Sequence, residues 1–312
     1  MLLLDGGSTS IRRFLPSPLP VTSPNLSSLW TSAYSLTSPD SVQAWHTSFL
    51  KAGSNIITTN TYQIPLTREN PELDIRTLMH SAVTLAVNAV RNCRNGSIAL
   101  SLGTRNAGYG KGDYDTEAKV SILEYAIFHR DRLNEYYSVL GDMWEGIEYL
   151  AFETISSYEE AEAILEVLSD KSVSELILNK KAWITFSCGD ASITRMESIF
   201  SRLLTLPTLS NLWGIGFNCV GIDIAPELAT MLGEKISSTA LTLVLYPDAG
   251  RWCDKTTAQF TYHAPASSDE EVQKWAGALV EMSRFNNGKV VLGGCCNTDY
   301  RFIAALASLL SI

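Results

Sequence analysis

An α/β fold, a single-domain (β/α)8 TIM barrel over residues 1–312, is predicted by three observations on this sequence. Eight short apolar, β-rich segments recur along the chain. Each is followed by a polar or glycine-rich stretch and then by a longer helix-like pattern, the alternation of repeated βα units. The 312 residues, 46% of them hydrophobic, suffice for one full core of this kind.

The elements follow in order. Residues 2–4 are Leu2-Leu3-Leu4 and run straight into Asp5-Gly6-Gly7; the four prolines of 16–24 make an extended surface loop. Residues 40–52 read as a helix entered through Ser38-Pro39-Asp40. The second strand is 55–59, and 75–94 carry apolar residues at helical spacing. The third strand, 97–102, leads into a Gly- and Tyr-rich connection at 104–116, long enough to cover a barrel mouth, and then a helix at 120–140. Strands at 149–152, 182–187 and 213–217 alternate with helices at 157–168, 193–204 and 225–236. A strand at 241–245 precedes a helix at 269–286, whose Asp269-Glu270-Glu271 forms a charged first turn that offsets the helix dipole. The last pair is 290–292 and 298–310. A doubly wound open sheet fits less well: it uses fewer parallel strands, and Asp5-Gly6-Gly7-Ser8-Thr9 lacks the glycine fingerprint of a dinucleotide turn.

Composition narrows the function. A net charge of −9 without a Lys/Arg block argues against nucleic acid or an anionic membrane as partner and favours small-molecule chemistry. No window approaches the roughly 20 apolar residues of a membrane span, and the start lacks the character of a signal peptide. The expected location is cytoplasmic, where the six cysteines, at 93, 188, 219, 253, 295 and 296, are expected as free thiols or metal ligands and not as disulfides.

In a barrel the active site lies at the carboxyl ends of the strands. Asp5 follows strand one, Thr58 to Thr61 end strand two, Glu153 ends strand four, Asn218-Cys219 end strand six, Tyr246-Pro247-Asp248-Ala249-Gly250 closes strand seven and Gly293-Gly294-Cys295-Cys296 ends strand eight. Cys219, Cys295 and Cys296 suggest a zinc site, with Gly293 and Gly294 expected to give the backbone its freedom to bend. Three sulfurs leave tetrahedral zinc one open position, as in catalytic sites. Cys93, Cys188 and Cys253 read as structural, and His46, His80, His129 and His263 show no metal-ligand spacing.

These segments resemble the homocysteine S-methyltransferase family. The matching stretches are Leu4-Asp5-Gly6-Gly7, Ile56-Ile57-Thr58-Thr59-Asn60-Thr61-Tyr62-Gln63, Ser101-Leu102-Gly103, Phe128-His129-Arg130, Phe152-Glu153-Thr154-Ile155, Gly216-Phe217-Asn218-Cys219, the Tyr246 to Gly250 turn and Gly293-Gly294-Cys295-Cys296. The resemblance implies that Cys219, Cys295 and Cys296 hold Zn2+ and that the thiol of L-homocysteine takes the fourth position. It implies that Asp5 and Glu153 receive the substrate ammonium, since a buried cation needs carboxylates. The amides near Gly6 and Gly7 or the hydroxyls of Thr58 to Thr61, Thr61 among them, are then expected to meet its carboxylate, with Asn218 also at the substrate. No catalytic side chain beyond the metal site is implied. Chain length and Thr61-Tyr62-Gln63 favour a sulfonium donor, S-methylmethionine or S-adenosylmethionine, giving L-methionine. Transfer to another thiol or a selenol such as selenocysteine, and a zinc- and thiol-binding barrel without turnover, are the alternatives; a zinc hydrolase fits poorly because three thiolates make metal-bound water a weaker acid.

The chain departs from the family pattern at four places, which bear on donor and thiol specificity. No acid follows in Ser8-Thr9-Ser10-Ile11-Arg12-Arg13, Thr104-Arg105-Asn106 continues the third strand, Arg251 stands where Glu is usual, and Asn297 stands where a basic residue is common.

Overall fold

Eight parallel strands lie in the order β1-β8-β7-β6-β5-β4-β3-β2 in one sheet of the computed structural model, which describes residues 1–16, 29–108, 120–187, 193–249 and 267–311. The strands are β1 (Leu2–Leu3), β2 (Ile56–Thr58), β3 (Ser97–Leu102), β4 (Tyr149–Ile155), β5 (Lys181–Phe186), β6 (Gly214–Asn218), β7 (Thr242–Tyr246) and β8 (Val290–Leu292). The barrel closes where the parallel bridge Leu4 to Ile56 joins β1 to β2, helped by Asn55 N donating to Leu3 O at 2.7 Å.

One principal helix follows each strand: α1 (Pro39–Lys51), α2 (Ile75–Cys93), α3 (Ile122–Leu140), α4 (Tyr158–Ser169), α5 (Ile193–Leu203), α6 (Ala225–Ile236), α7 (Asp269–Met282) and α8 (Tyr300–Leu310). Local chemistry sets their starts. Ser121 with Glu124 and Ser268 with Glu271 form capping boxes that satisfy orphan amides at the first turns of α3 and α7. The helix expected over 269–286 stops at Met282, and a 3-10 turn follows in which Asn286 and Asn287 take left-handed angles. Shorter helices at Tyr34–Thr37, Arg105–Gly108 and Lys171–Leu176 were beyond the reach of periodicity.

Alternation along the strands divides the core in two. Leu243 and Leu245 of β7 face the helices in the large outer cluster, whereas Val244 and Tyr246 face inward with Leu4, Ile56, Tyr149, Trp183 and Val291. That interior plug is a packed floor under the cavity at the strand ends. Among the described residues no helix is long and apolar enough to cross a membrane. Cys188, Gly250, Arg251, Cys253, His263, most of the proline-rich 16–24 segment and residues 109–116 of the expected mouth loop lie outside the described residues.

Candidate active site

The strand ends bring three cysteines together. Cys219 follows β6 in the left-handed region, with φ 49°. Cys295 and Cys296 follow β8, where Gly293 N bonds Leu245 O, Gly294 N bonds Asp5 O and Cys295 N bonds Pro247 O, all within 2.9–3.0 Å. Those bonds lace the end of β8 to its two neighbours. The expected role of Gly293 and Gly294 is corrected here: neither has a positive φ. A Cβ on Gly293 would stand 2.6 Å from Leu4 Cβ and one on Gly294 2.2 Å from Thr298 Oγ1, so both glycines answer close approach between segments.

The ligand atoms of Cys219, Cys295 and Cys296 all lie within 4.8 Å of one another, with Cys219 Sγ 3.6 Å from Cys296 Sγ. Cys219 and Cys295 stand with Cα atoms 5.4 Å apart and their sulfurs in contact. The ends of β6 and β8 converge closely enough to bring these two sulfurs together, and Cys296 completes the cluster. Zinc–sulfur bonds of about 2.3 Å in a tetrahedron separate sulfurs by roughly 3.8 Å, so the spacing to Cys296 suits three thiolates around one ion.

The cavity beside the sulfurs holds two acids. Asp5, buried at the end of β1, accepts from Thr58 N at 2.8 Å and from Thr58 Oγ1 at 3.0 and 3.1 Å. Burial pushes its carboxyl well above the usual carboxylate range; the Thr58 hydrogen bonds draw it back, and the charge of Glu153 raises it again. Glu153, on β4, accepts from the Ser101 hydroxyl on one oxygen and from Tyr246 OH at 3.1 Å on the other. Tyr246 is fixed in turn from within the barrel by Thr185 Oγ1 at 2.6 Å and Trp183 Nε1 at 3.4 Å. Burial, then the Glu153 charge, lift its phenol well above its ordinary pKa, so Tyr246 keeps its proton and donates.

Three left-handed residues surround this centre: Thr154 (φ 62°), Cys219 (φ 49°) and Asn297 (φ 63°), each next to or at a site residue. A β-branched residue at positive φ is strained by about 1–3 kcal/mol and persists only where neighbours hold it. Asn218 does the holding: its Oδ1 accepts from Thr154 N at 2.8 Å and its Nδ2 donates to Thr154 Oγ1 at 2.8 Å, with Cys295 Sγ 3.8 Å away.

The cavity is lined by Asp5, Gly6, Gly7, Glu153, Asn218 and the three cysteines, and also by Trp30, Thr58, Asn60, Tyr62, Gln63, Ser101, Thr154 and Tyr246. No Lys, Arg or His stands among its described lining residues. Thr61 does not reach it. This fully buried residue turns its hydroxyl to Ser101 O at 2.7 Å and to Thr59 Oγ1 at 2.6 Å, behind the wall. Gly7 N already donates to Thr298 Oγ1 at 3.0 Å, which leaves that amide unsuited to a substrate carboxylate. Sequence reasoning assigned no contact to Trp30, Tyr62, Gln63 or Tyr246: Tyr62 and Gln63 entered only through the resemblance that favoured a sulfonium donor, Tyr246 lay in the turn that closes strand seven, and Trp30 gave no signal. The buried Gln63 Oε1 has no hydrogen-bond partner.

The family model described as homocysteine S-methyltransferase matches residues 2–310. The chain is 27% identical over 300 residues to homocysteine S-methyltransferase 1 of Arabidopsis thaliana, covering 89% of this chain and 86% of that protein. It is 25% identical to homocysteine S-methyltransferase of Escherichia coli strain K12, covering 98% and 94%, and 26% identical to betaine-homocysteine S-methyltransferase of Drosophila melanogaster, covering 86% and 82%. The crystal structure of the metallated form of the Escherichia coli homocysteine methyltransferase MmuM superposes with a TM-score of 0.72 at 22% identity, covering 99% of this chain and 96% of that one, a likeness of fold.

Proposed function

This chain belongs to the homocysteine S-methyltransferase family, and from that premise we propose that it moves a methyl group from a sulfonium donor to the thiol of L-homocysteine, with Cys219, Cys295 and Cys296 as zinc ligands. The observation that carries the reading is the pairing of three converging sulfurs with two buried carboxylates on one cavity that no cationic side chain lines among the described residues. Such a lining selects a cationic group for the acids, and the α-ammonium of an amino acid is one. Asp5 and Glu153 take the ammonium, and the side chain of homocysteine runs from them to the cysteines. Zinc held by the three thiolates supplies the Lewis acidity that keeps the substrate thiol deprotonated at neutral pH, where a free thiol with a pKa of about 8.5 is mostly protonated.

The sulfonium donor, itself a cation, approaches from the wall of Trp30, Tyr62 and Gln63, where aromatic faces attract positive charge and the Gln63 amide offers a polar contact. The new carbon–sulfur bond forms from the thiolate as the donor's methyl–sulfur bond breaks, its electron pair leaving with the donor as a neutral thioether. The chain's own task is alignment, since in-line displacement asks for no proton transfer. The relatives at 25–27% identity bear names of both the general and the betaine-using kind, so identity does not choose the donor. We place the protein in the cytoplasm as one domain, where a reducing medium keeps the three ligands as thiols.

The test is a donor panel on reduced, zinc-loaded protein with homocysteine, read as methionine. Methionine from S-methylmethionine or S-adenosylmethionine is the expected result. No methionine from any donor, despite one bound zinc, would make the barrel a binder without turnover, and faster methylation of selenocysteine would change the acceptor.

A further inference from the structure

Arg132 is buried to 0% exposure on α3, at a distance in sequence from every group the proposed chemistry uses. Among the described residues its guanidinium has no carboxylate within ion-pair distance. Nη1 donates to Gly103 O at 2.9 Å, and Nη2 donates to Thr61 O at 3.0 Å and Tyr62 O at 2.9 Å, all main-chain carbonyls. Phe128 lies under the planar group at 5.7 Å, and the Tyr136 phenol adjoins it. A fully buried arginine is costly to desolvate, and apolar replacements of buried ions are often neutral or stabilising. Its use must therefore be sought in what it holds in place.

What it holds are two strand-end loops. Thr61 and Tyr62 belong to the turn after β2, and Gly103 follows β3 one residue beyond Leu102. The two segments press together: a Cβ on Gly103 would stand 2.6 Å from Tyr62 O and 2.7 Å from the Tyr62 ring. Tyr62 and Gln63 line the cavity, and Ser101 of β3 hydrogen-bonds Glu153. In the order of the sheet, β2 stands four strands from β6, so this wall faces the cysteine side across the barrel.

We infer that Arg132 is a positioning residue for the donor wall, the two Nη ends of its planar fork fixing the turn that carries Tyr62 and Gln63 against Gly103. This rests on the sulfonium reading above. Three carbonyls converging on one planar group define that turn more tightly than one point charge does, so lysine is no equivalent here.

Two variants approach the same contact from opposite sides. Arg132→Lys keeps the charge and loses the fork; Gly103→Ala keeps Arg132 and pushes Tyr62 outward. Each is expected to lower kcat/KM for the sulfonium donor by about tenfold or more, as small misplacements in an alignment-driven reaction do. In both, the KM for homocysteine stays within about twofold and bound zinc stays stoichiometric, because the carboxylates and cysteines belong to other strands. Folded variants with an unchanged donor kcat/KM, or with donor and homocysteine parameters falling together, overturn the inference. If Arg132→Lys does not fold, Gly103→Ala decides alone. A wild-type protein that uses no sulfonium donor overturns the functional reading itself, and that result is visible before any variant is made.

Discussion

Replacing Glu153 with glutamine removes one of the two charges proposed to receive the substrate ammonium while keeping the side chain's volume. Both Glu153 oxygens accept from hydroxyls, Ser101 on one side and Tyr246 at 3.1 Å on the other. The carboxamide of the Glu153→Gln variant reproduces one of these contacts, and the Ser101 or Tyr246 hydroxyl can turn to accept from its NH2, so the fold is expected to hold. What is lost is the charge on a hydrogen bond to a buried cation, about 1.5–3 kcal/mol. At about 1.4 kcal/mol per factor of ten, the KM for homocysteine should rise by roughly 10- to 150-fold, with donor KM and zinc content little changed. A second readout follows from Asp5. The Glu153 charge is one cause of its raised pKa, and Asp5 must be ionised to hold the ammonium. Removing that charge lowers the Asp5 pKa, so the acid limb of kcat/KM for homocysteine should move to lower pH while the plateau falls. Steady-state kinetics between pH 5 and pH 9, with a thermal melt as a check on folding, reads both. An unchanged homocysteine KM, or an acid limb displaced upward, refutes the assignment of these two carboxylates.

Cys296→Ala removes one of the three converging sulfurs; both zinc retention against a chelator and methyl transfer should be lost, and full activity without bound metal would sink the proposed centre. Asn218→Ala deletes two hydrogen bonds of 2.8 Å to Thr154, which should lower stability by about 2 kcal/mol and depress homocysteine kcat/KM as Glu153 loses its rigid neighbour; urea unfolding and kinetics check this, and an unaltered variant would show that Thr154 holds its own conformation. His46 is fully buried, neither ring nitrogen has a partner, and burial pulls its pKa to about 3. Its folded pKa lies below the unfolded value, so the unfolded chain takes the proton first. The stability it contributes is complete above about pH 6.5 and is lost as pH falls toward 3, about 3 kcal/mol of it by roughly pH 4. His46→Leu should flatten that loss between pH 7 and pH 4 in urea titrations; an unchanged pH dependence would assign acid sensitivity elsewhere.

The barrel was legible because its evidence is local. A strand declares itself by a short apolar run, and a helix by spacing and capping residues such as Ser121 and Glu124, each read within a dozen positions. The direction of the strands then makes their carboxyl ends the functional face, so Asp5, Glu153 and the cysteines could be marked before any distance was known. The resemblance to a family added the ligand set and the substrate. Hidden from the sequence was whatever depends on how far apart two strand ends come to lie.

The sequence by itself therefore determined the alternation of strands and helices, and with it which end of the barrel carries the acids and sulfurs, since both follow from the periodicity of neighbouring side chains. Tertiary structure alone decided how those groups are used. It turned Thr61 behind the wall, gave Asn218 the task of holding Thr154, ran the Tyr246 hydroxyl from the barrel interior to Glu153, and brought Cys219 into contact with Cys295 and Cys296 from 76 or more residues away. It also made Gly293 and Gly294 necessary for space and not for rotation. The physical reason is one of range: propensity and patterning act between neighbours in the chain, whereas hydrogen bonds and sulfur contacts act over a few ångströms in space, and only the register and closure of the eight strands relate the two.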